Sequence, residues 1–161
     1  MSTRPLWYFA YGSNLCRAIF VDRRGLQPLE IRRARLEGHR LTFDLPVGPG
    51  ERGVANLVAD PAAATWGVCY LLDAAACDHL DRTEGVHRGY YRRLEVSVVT
   101  DDGGSLQAFA YQGIASVAGR KPSQRYLGLL LDGAREHGLP EEWIRYLEGL
   151  ELAVDERLGS A

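Results

Sequence analysis

Lysine and methionine are nearly missing from this chain: Lys121 is its one lysine and Met1 its one methionine in 161 residues. The remaining basic side chains are all arginine, and Ala, Gly and Leu are abundant, a bias of GC-rich bacterial coding that carries no function by itself. Basic charge is not in excess. Lys+Arg (19) against Asp+Glu (21) leaves a net charge of -2, which argues against a nucleic-acid partner, since phosphate backbones are held by a basic footprint. Three cysteines, Cys16, Cys69 and Cys77, form no CxxC pair, so neither a disulfide scaffold nor a zinc site is expected. The histidines His39, His79, His87 and His137 lack HExxH or i,i+4 spacing, so no metal is expected. No apolar run approaches the roughly 20 residues of a membrane span. Residues 1–9 carry no apolar segment followed by a small-residue cleavage site. The expectations are no membrane partner and a cytoplasmic location.

What is present is globular: 46% hydrophobic and 25% charged residues. A chain of this length buries about two-thirds of its unfolded surface and needs no covalent staple. It reads as a single domain over 1–161, with a tail that is loose after about 151.

The apolar run at 6–11 reads as a buried strand ended by Gly12, Ser13 and Asn14. Asn14 can cap a helix over 15–24, stopped by Gly25. Alternation of Leu36, Leu41, Phe43 and Leu45 predicts a strand over 33–45, interrupted near Gly38. Strands at 54–59 and 65–72 come next, separated by Asp60 and Pro61. Asp73 caps a helix over 74–83, with Gly85 just beyond its end. A hairpin joins strands at 90–100 and 106–111 through residues 101–104. A loop over 112–121 leads to a helix capped by Ser123 and running to about His137; a last helix ends near Leu150. No regular crossover helices separate the strands. The fold class is therefore α+β: a small mixed β-barrel of about six strands with flanking helices.

Gly48, Gly50 and Gly53 spell GxGxxG. A dinucleotide site needs that motif between a strand and a helix, whereas here a strand comes after it, so the motif reads as a hairpin loop. Arg32, Arg33, Arg35 and Arg40 read as a solvated strand edge. Ser13 is in no GxSxG elbow, and no Cys lies near a plausible catalytic His.

Two segments invite chemistry. A strand stopping at Gly12, Ser13 and Asn14 can present several backbone N–H groups to an anion such as a carboxylate; a plain turn accounts for the residues equally well. Glu84 falls at a helix C-terminus, where its charge opposes the helix dipole, with Tyr90 and Tyr91 close behind. A partly desolvated carboxylate there suits acid/base work, and a surface Glu is the bland alternative.

Taken in order, YFAYGSNL at 8–15, GVA at 53–55, WGVCY at 66–70 and LDRTEGV at 80–86 resemble the gamma-glutamylcyclotransferases. The resemblance continues through YYRRLEV at 90–96, the strand end Ala110–Tyr111, PSQRY at 122–126 and GAREHGLP at 133–140, and covers about 7–150. It implies a small β-barrel acting without cofactor or metal on a small-molecule gamma-glutamyl substrate, as monomer or homodimer. It implies that Glu84 is the acid/base glutamate. It further implies that Tyr8, Phe9, Ala10, Tyr11, Gly12, Ser13 and Asn14 form the loop holding the glutamyl end, and that Tyr111 and Tyr126 line the pocket. The implied reaction closes the α-amino group onto the γ-carbonyl, giving 5-oxoproline and a free amino acid or amine. Two departures bear on specificity: Asn56 stands where many members carry Thr, and the 112–121 loop differs from the animal enzymes. The alternatives are a gamma-glutamyl-tagged natural-product intermediate as substrate, or a non-catalytic small-molecule binding module, against which Glu84 itself speaks.

Overall fold

The computed structural model describes residues 4–154. Five strands, β1 (Leu6–Ala10), β2 (Glu30–Pro46), β3 (Gly53–Leu72), β4 (Tyr91–Thr100) and β5 (Ser105–Gly113), close into a barrel in the order β1-β3-β2-β4-β5. Neighbours run antiparallel except where β1 meets β5, a parallel contact at Tyr8 and Phe109 that seals the barrel. Three α-helices flank it: α1 (Ala74–Glu84), α2 (Gln124–Glu136) and α3 (Glu141–Glu148).

β2 shows how the sequence pattern becomes a barrel wall. Ala34 and Leu36 are buried, then Leu41 and Phe43, so the inward parity changes between them. The change falls at the register shift between Glu37 and His39, where Gly38 takes φ +80°. One extra residue in a strand turns every later side chain to the other face, and the left-handed conformation is cheap only for glycine. The glycine-rich loop joins β2 to β3 where Pro46 pairs with Gly53, so GxGxxG is a hairpin here. Arg32, Arg33, Arg35 and Arg40 lie not on a free edge but on a strand paired to β3 and β4, each with an acidic partner: Glu30, Asp101, Glu37 and Asp60.

Three expectations change. The strands predicted at 54–59 and 65–72 are one, β3, so the barrel has five strands. Pro61 fails to break it because the ladder jumps from Ala59 to Ala64, leaving the proline without a partner that needs its missing N–H. The helix predicted over 15–24 is a 3-10 turn (Ser13–Leu15) succeeded by a π-helical turn (Ala18–Arg23). Asn14 does not cap a helix; its amide is used across the barrel mouth. The chain end is anchored at its start: Ala153 is fully buried and donates its N–H to the Pro122 carbonyl at 2.9 Å. Residues 155–161 of the tail lie outside the described residues.

Candidate active site

The turn after β1 is held from behind. α2 crosses it at Gly133, where any Cβ would stand 2.5 Å from the Leu15 Cβ and 2.6 Å from the Leu15 carbonyl carbon. The Tyr70 hydroxyl donates to the Asn14 carbonyl at 2.8 Å, and His137 Nε2 donates to the Leu15 carbonyl at 3.0 Å. Below the turn lies an aromatic floor in which Phe20 stacks on Tyr70 at 4.1 Å and Tyr8 packs at 5.4 Å from both Phe109 and Tyr111.

α1 delivers Glu84 to the same place. Asp73 caps its first turn by accepting from the Ala76 N–H at 2.8 Å, an interaction of about 1 kcal/mol. Gly85, at φ +71°, ends it in the left-handed conformation, and Glu84 is therefore the last helical residue. The dipole at that end disfavours an acidic side chain by about 0.3–1 kcal/mol at exposed sites. The helix carries this cost with a side chain only 12% exposed.

Glu84 Oε1 accepts from Asn14 Nδ2 at 2.8 Å, and Asn14 Nδ2 also donates to the Tyr8 hydroxyl at 2.8 Å. Arg24 Nη2 lies 4.0 Å from Glu84 Oε1. Burial pushes the Glu84 carboxyl above its ordinary value, with the Arg24 charge and the Asn14 hydrogen bond offsetting part of the rise. Such a carboxylate exchanges a proton closer to neutrality than a solvated one.

Around these groups is a cavity of about 210 Å³ lined by Tyr8, Tyr11, Gly12, Ser13, Asn14, Glu84, Tyr91, Tyr111 and Tyr126, with Arg24, Val54 and Ala55 completing its wall. Most tyrosine hydroxyls are already engaged. Tyr11 donates to the Tyr111 carbonyl. Tyr111 donates to Asp81 Oδ1, which Arg93 Nε also contacts at 2.9 Å. The Tyr126 oxygen accepts from the Ala55 N–H at 3.0 Å; burial raises this hydroxyl's pKa to about 12, with Ala55 and Ser13 lowering it in part. Burial raises the Tyr8, Tyr11, Tyr91 and Tyr111 hydroxyls as well, so all are neutral near pH 7.

Of the residues singled out from sequence, Glu84, Tyr8, Tyr11, Gly12, Ser13, Asn14, Tyr111 and Tyr126 converge on this cavity. Phe9 and Ala10 do not line it and are wholly buried in the core. Asn56 is absent from the lining too. Its side chain accepts from the Gly113 N–H at 2.8 Å and donates to Asp44 at 3.0 Å, tying β3 to β5 and to the β2 end. Sequence reasoning missed Arg24, Val54 and Ala55, and treated Tyr91 only as a neighbouring aromatic. Arg24 sits in a run of charged residues that looks like helix surface, and the π turn that redirects it has no sequence signature. Among the described residues no group of three or more His, Cys, Asp or Glu side chains converges as metal ligands, and no helix is long and apolar enough to cross a membrane.

The model of the AIG2-like family matches residues 64–147. The chain is 32% identical over 148 residues to a gamma-glutamylcyclotransferase of Bos taurus, covering 89% of this chain and 78% of that protein. The gamma-glutamylcyclotransferase of Homo sapiens is 31% identical over 148 residues with the same coverage. A solved gamma-glutamyl cyclotransferase structure superposes with a TM-score of 0.80 at 28% identity, over 92% of this chain and 89% of the other. This chain belongs to the gamma-glutamylcyclotransferase family.

Proposed function

We propose that this protein is a cyclotransferase that converts a gamma-glutamyl amide, of an amino acid or of another amine, to 5-oxoproline and the free amine. The observation that carries this reading is the buried carboxylate of Glu84, held by Asn14 in the wall of a tyrosine-lined cavity. A gamma-glutamyl amide contains its own nucleophile, so the protein need not bring two reactants together. It must fold the glutamyl chain and manage two protons. Glu84 takes a proton from the α-ammonium, and Asn14 Oδ1, buried without a partner, is a second acceptor beside it. The α-nitrogen then forms a bond to the γ-carbonyl carbon. The bond from that carbon to the leaving nitrogen breaks as the proton on Glu84 passes to the leaving nitrogen; the ring nitrogen then gives its second proton to the freed Glu84 carboxylate, which hands it on to the departing amine. In this reading the backbone N–H groups of Gly12 and Ser13, which line the cavity, stabilise the negative charge that develops on the γ-carbonyl oxygen. Tyr111, whose hydroxyl donates to Asp81, and Tyr126, whose oxygen accepts from the Ala55 N–H, contribute ring faces that exclude water. Three free cysteines accord with a reducing, cytoplasmic setting and are part of the same reading.

The test is a panel of gamma-glutamyl dipeptides and gamma-glutamylamines incubated with the purified protein, with products separated by mass. Release of 5-oxoproline with the free amine supports the reading. No turnover of any compound on the panel overturns it and favours a binding module on the same barrel.

A further inference from the structure

Among the described residues, Arg24 is the one strongly basic group on the cavity wall, and it takes no part in the proton transfers assigned to Glu84. Its side chain is 20% exposed, and its Nε is buried with no hydrogen-bond partner. The Glu84 oxygen 4.0 Å from Nη2 is too distant for a direct hydrogen bond. A mostly buried guanidinium with unused donors is costly unless an anion completes it. Its backbone is nevertheless fixed. The Arg24 N–H bonds the Ile19 carbonyl at 3.0 Å, a spacing of five residues that closes the π turn, and the Arg24 carbonyl contacts His79 Nε2 at 2.8 Å. A π turn inserts one residue into a helical path and re-aims the side chains beyond it. Arg24 stands immediately beyond this one and is turned toward the cavity.

The charge pattern identifies the anion. Glu84 and Arg24 place a negative and a positive group side by side on one wall, close enough to face one small ligand but not locked in a hydrogen-bonded pair. That arrangement complements an ammonium and a carboxylate borne by the same carbon, which is the head group of an α-amino acid. A planar guanidinium is suited to carboxylates because it offers two parallel donors.

Resting on the cyclotransferase reading, we infer that Arg24 binds the α-carboxylate of the gamma-glutamyl substrate. The α-ammonium is thereby directed onto Glu84, and the Gly12–Ser13 backbone is left to the γ-carbonyl. Arg24 thus sets a requirement for a free α-carboxylate on the glutamyl residue. A gamma-glutamyl compound amidated at that position is a poor substrate, whatever its leaving group.

The experiment compares a gamma-glutamyl dipeptide with the same compound bearing an α-carboxamide, in wild type, Arg24→Met and Arg24→Lys. Wild type is expected to favour the free carboxylate by roughly 10- to 100-fold in kcat/KM, the range of one charge-assisted contact. In Arg24→Met that preference collapses: whatever loss both substrates share through the altered Glu84 environment, the carboxylate substrate loses a further factor of that size, mainly through KM, and the two compounds become nearly equal. Arg24→Lys keeps charge but not the fork, and retains a reduced preference. It also carries the test if Arg24→Met fails to fold. An unchanged preference in either folded variant overturns the assignment. So does an equal loss on both substrates with a shifted acid limb of the pH profile, which means Arg24 acts only on the Glu84 charge. A wild type that turns over neither compound instead overturns the cyclotransferase reading.

Discussion

Replacing Glu84 by Gln separates chemistry from architecture at one atom. Gln preserves the oxygen that accepts from Asn14 at 2.8 Å and nearly the same volume, while removing the charge and the proton-accepting site. Loss of a general base costs about 10²–10⁴ in rate, or about 2.7–5.4 kcal/mol of barrier at 1.36 kcal/mol per decade. Release of 5-oxoproline should therefore fall at least about 10²-fold, with little change in substrate affinity. Stability moves the other way. Burial raises the Glu84 pKa in the folded state, so the folded chain holds this proton more tightly than the unfolded one. The resulting penalty is absent below the ordinary carboxylate range, grows as pH rises from the unfolded to the folded pKa, and persists at neutrality. Glu84→Gln removes it, along with a clash against the helix dipole, so its melting temperature at pH 7 should equal or exceed that of wild type. The same sign places the acid limb of the wild-type kcat/KM profile above the ordinary carboxylate value of about 4.3, because the base must be ionised. Calorimetry and product assay on both proteins decide the matter. Turnover of a folded Glu84→Gln within tenfold of wild type would refute the assignment.

Gly12→Val places a Cβ 3.1 Å from both the Ala55 Cβ and the Tyr126 hydroxyl, so KM should rise more than the melting temperature falls; an unchanged KM in a folded variant removes the turn from the binding site. Gly133→Ala drives its methyl to 2.5 Å from the Leu15 Cβ, an overpacking cost of about 1–3 kcal/mol that should lower the melting temperature by several degrees; no thermal change would show that α2 does not brace the turn. In ¹⁸O-labelled water the 5-oxoproline should carry no solvent oxygen and the N-acetylated substrate should be inert, whereas labelled glutamate, or turnover of the blocked compound, marks a hydrolase.

The barrel was legible wherever one local rule acted alone. Alternation along β2 with a break at Gly38, the Gly48–Gly53 hairpin and the Asp73 and Gly85 caps all arise from backbone or side-chain chemistry within a few residues. Reading failed where tertiary context overrode the local signal. Pro61 looks like a strand break, and it is harmless because the partner strand omits the hydrogen bond it cannot make. Residues 15–24 look helical, but Phe20 stacks on Tyr70 and Ile19 is buried, and seating both side chains leaves a π turn in place of a regular α-helix. The candidate site divides the same way. Glu84 and the turn after β1 stand out by position and motif, while Arg24 depends on an inserted residue in a helical path that composition does not reveal.

That division has a chemical reason. Intramolecular attack already supplies an effective concentration of about 10⁵–10⁸ M when the reacting atoms are aligned, so the protein's main task is to hold one conformer. The cavity is built for that. At about 210 Å³ it is below the roughly 300–1,000 Å³ of sites that enclose a drug-sized ligand. On the proposed reading, that volume suits the glutamyl half of a substrate alone. Tyr11 and Tyr111 donate their hydroxyls to the Tyr111 carbonyl and to Asp81, while the Tyr8 and Tyr126 oxygens accept from Asn14 and from the Ala55 N–H. Among the described residues, the charged side chains that line the cavity are Glu84 and Arg24. On the proposed reading, an anion and a cation on neighbouring wall positions orient an amino-acid head group by electrostatics at low cost in reorganisation, and the tyrosine rings around them favour a glutamyl chain folded back toward its own amine.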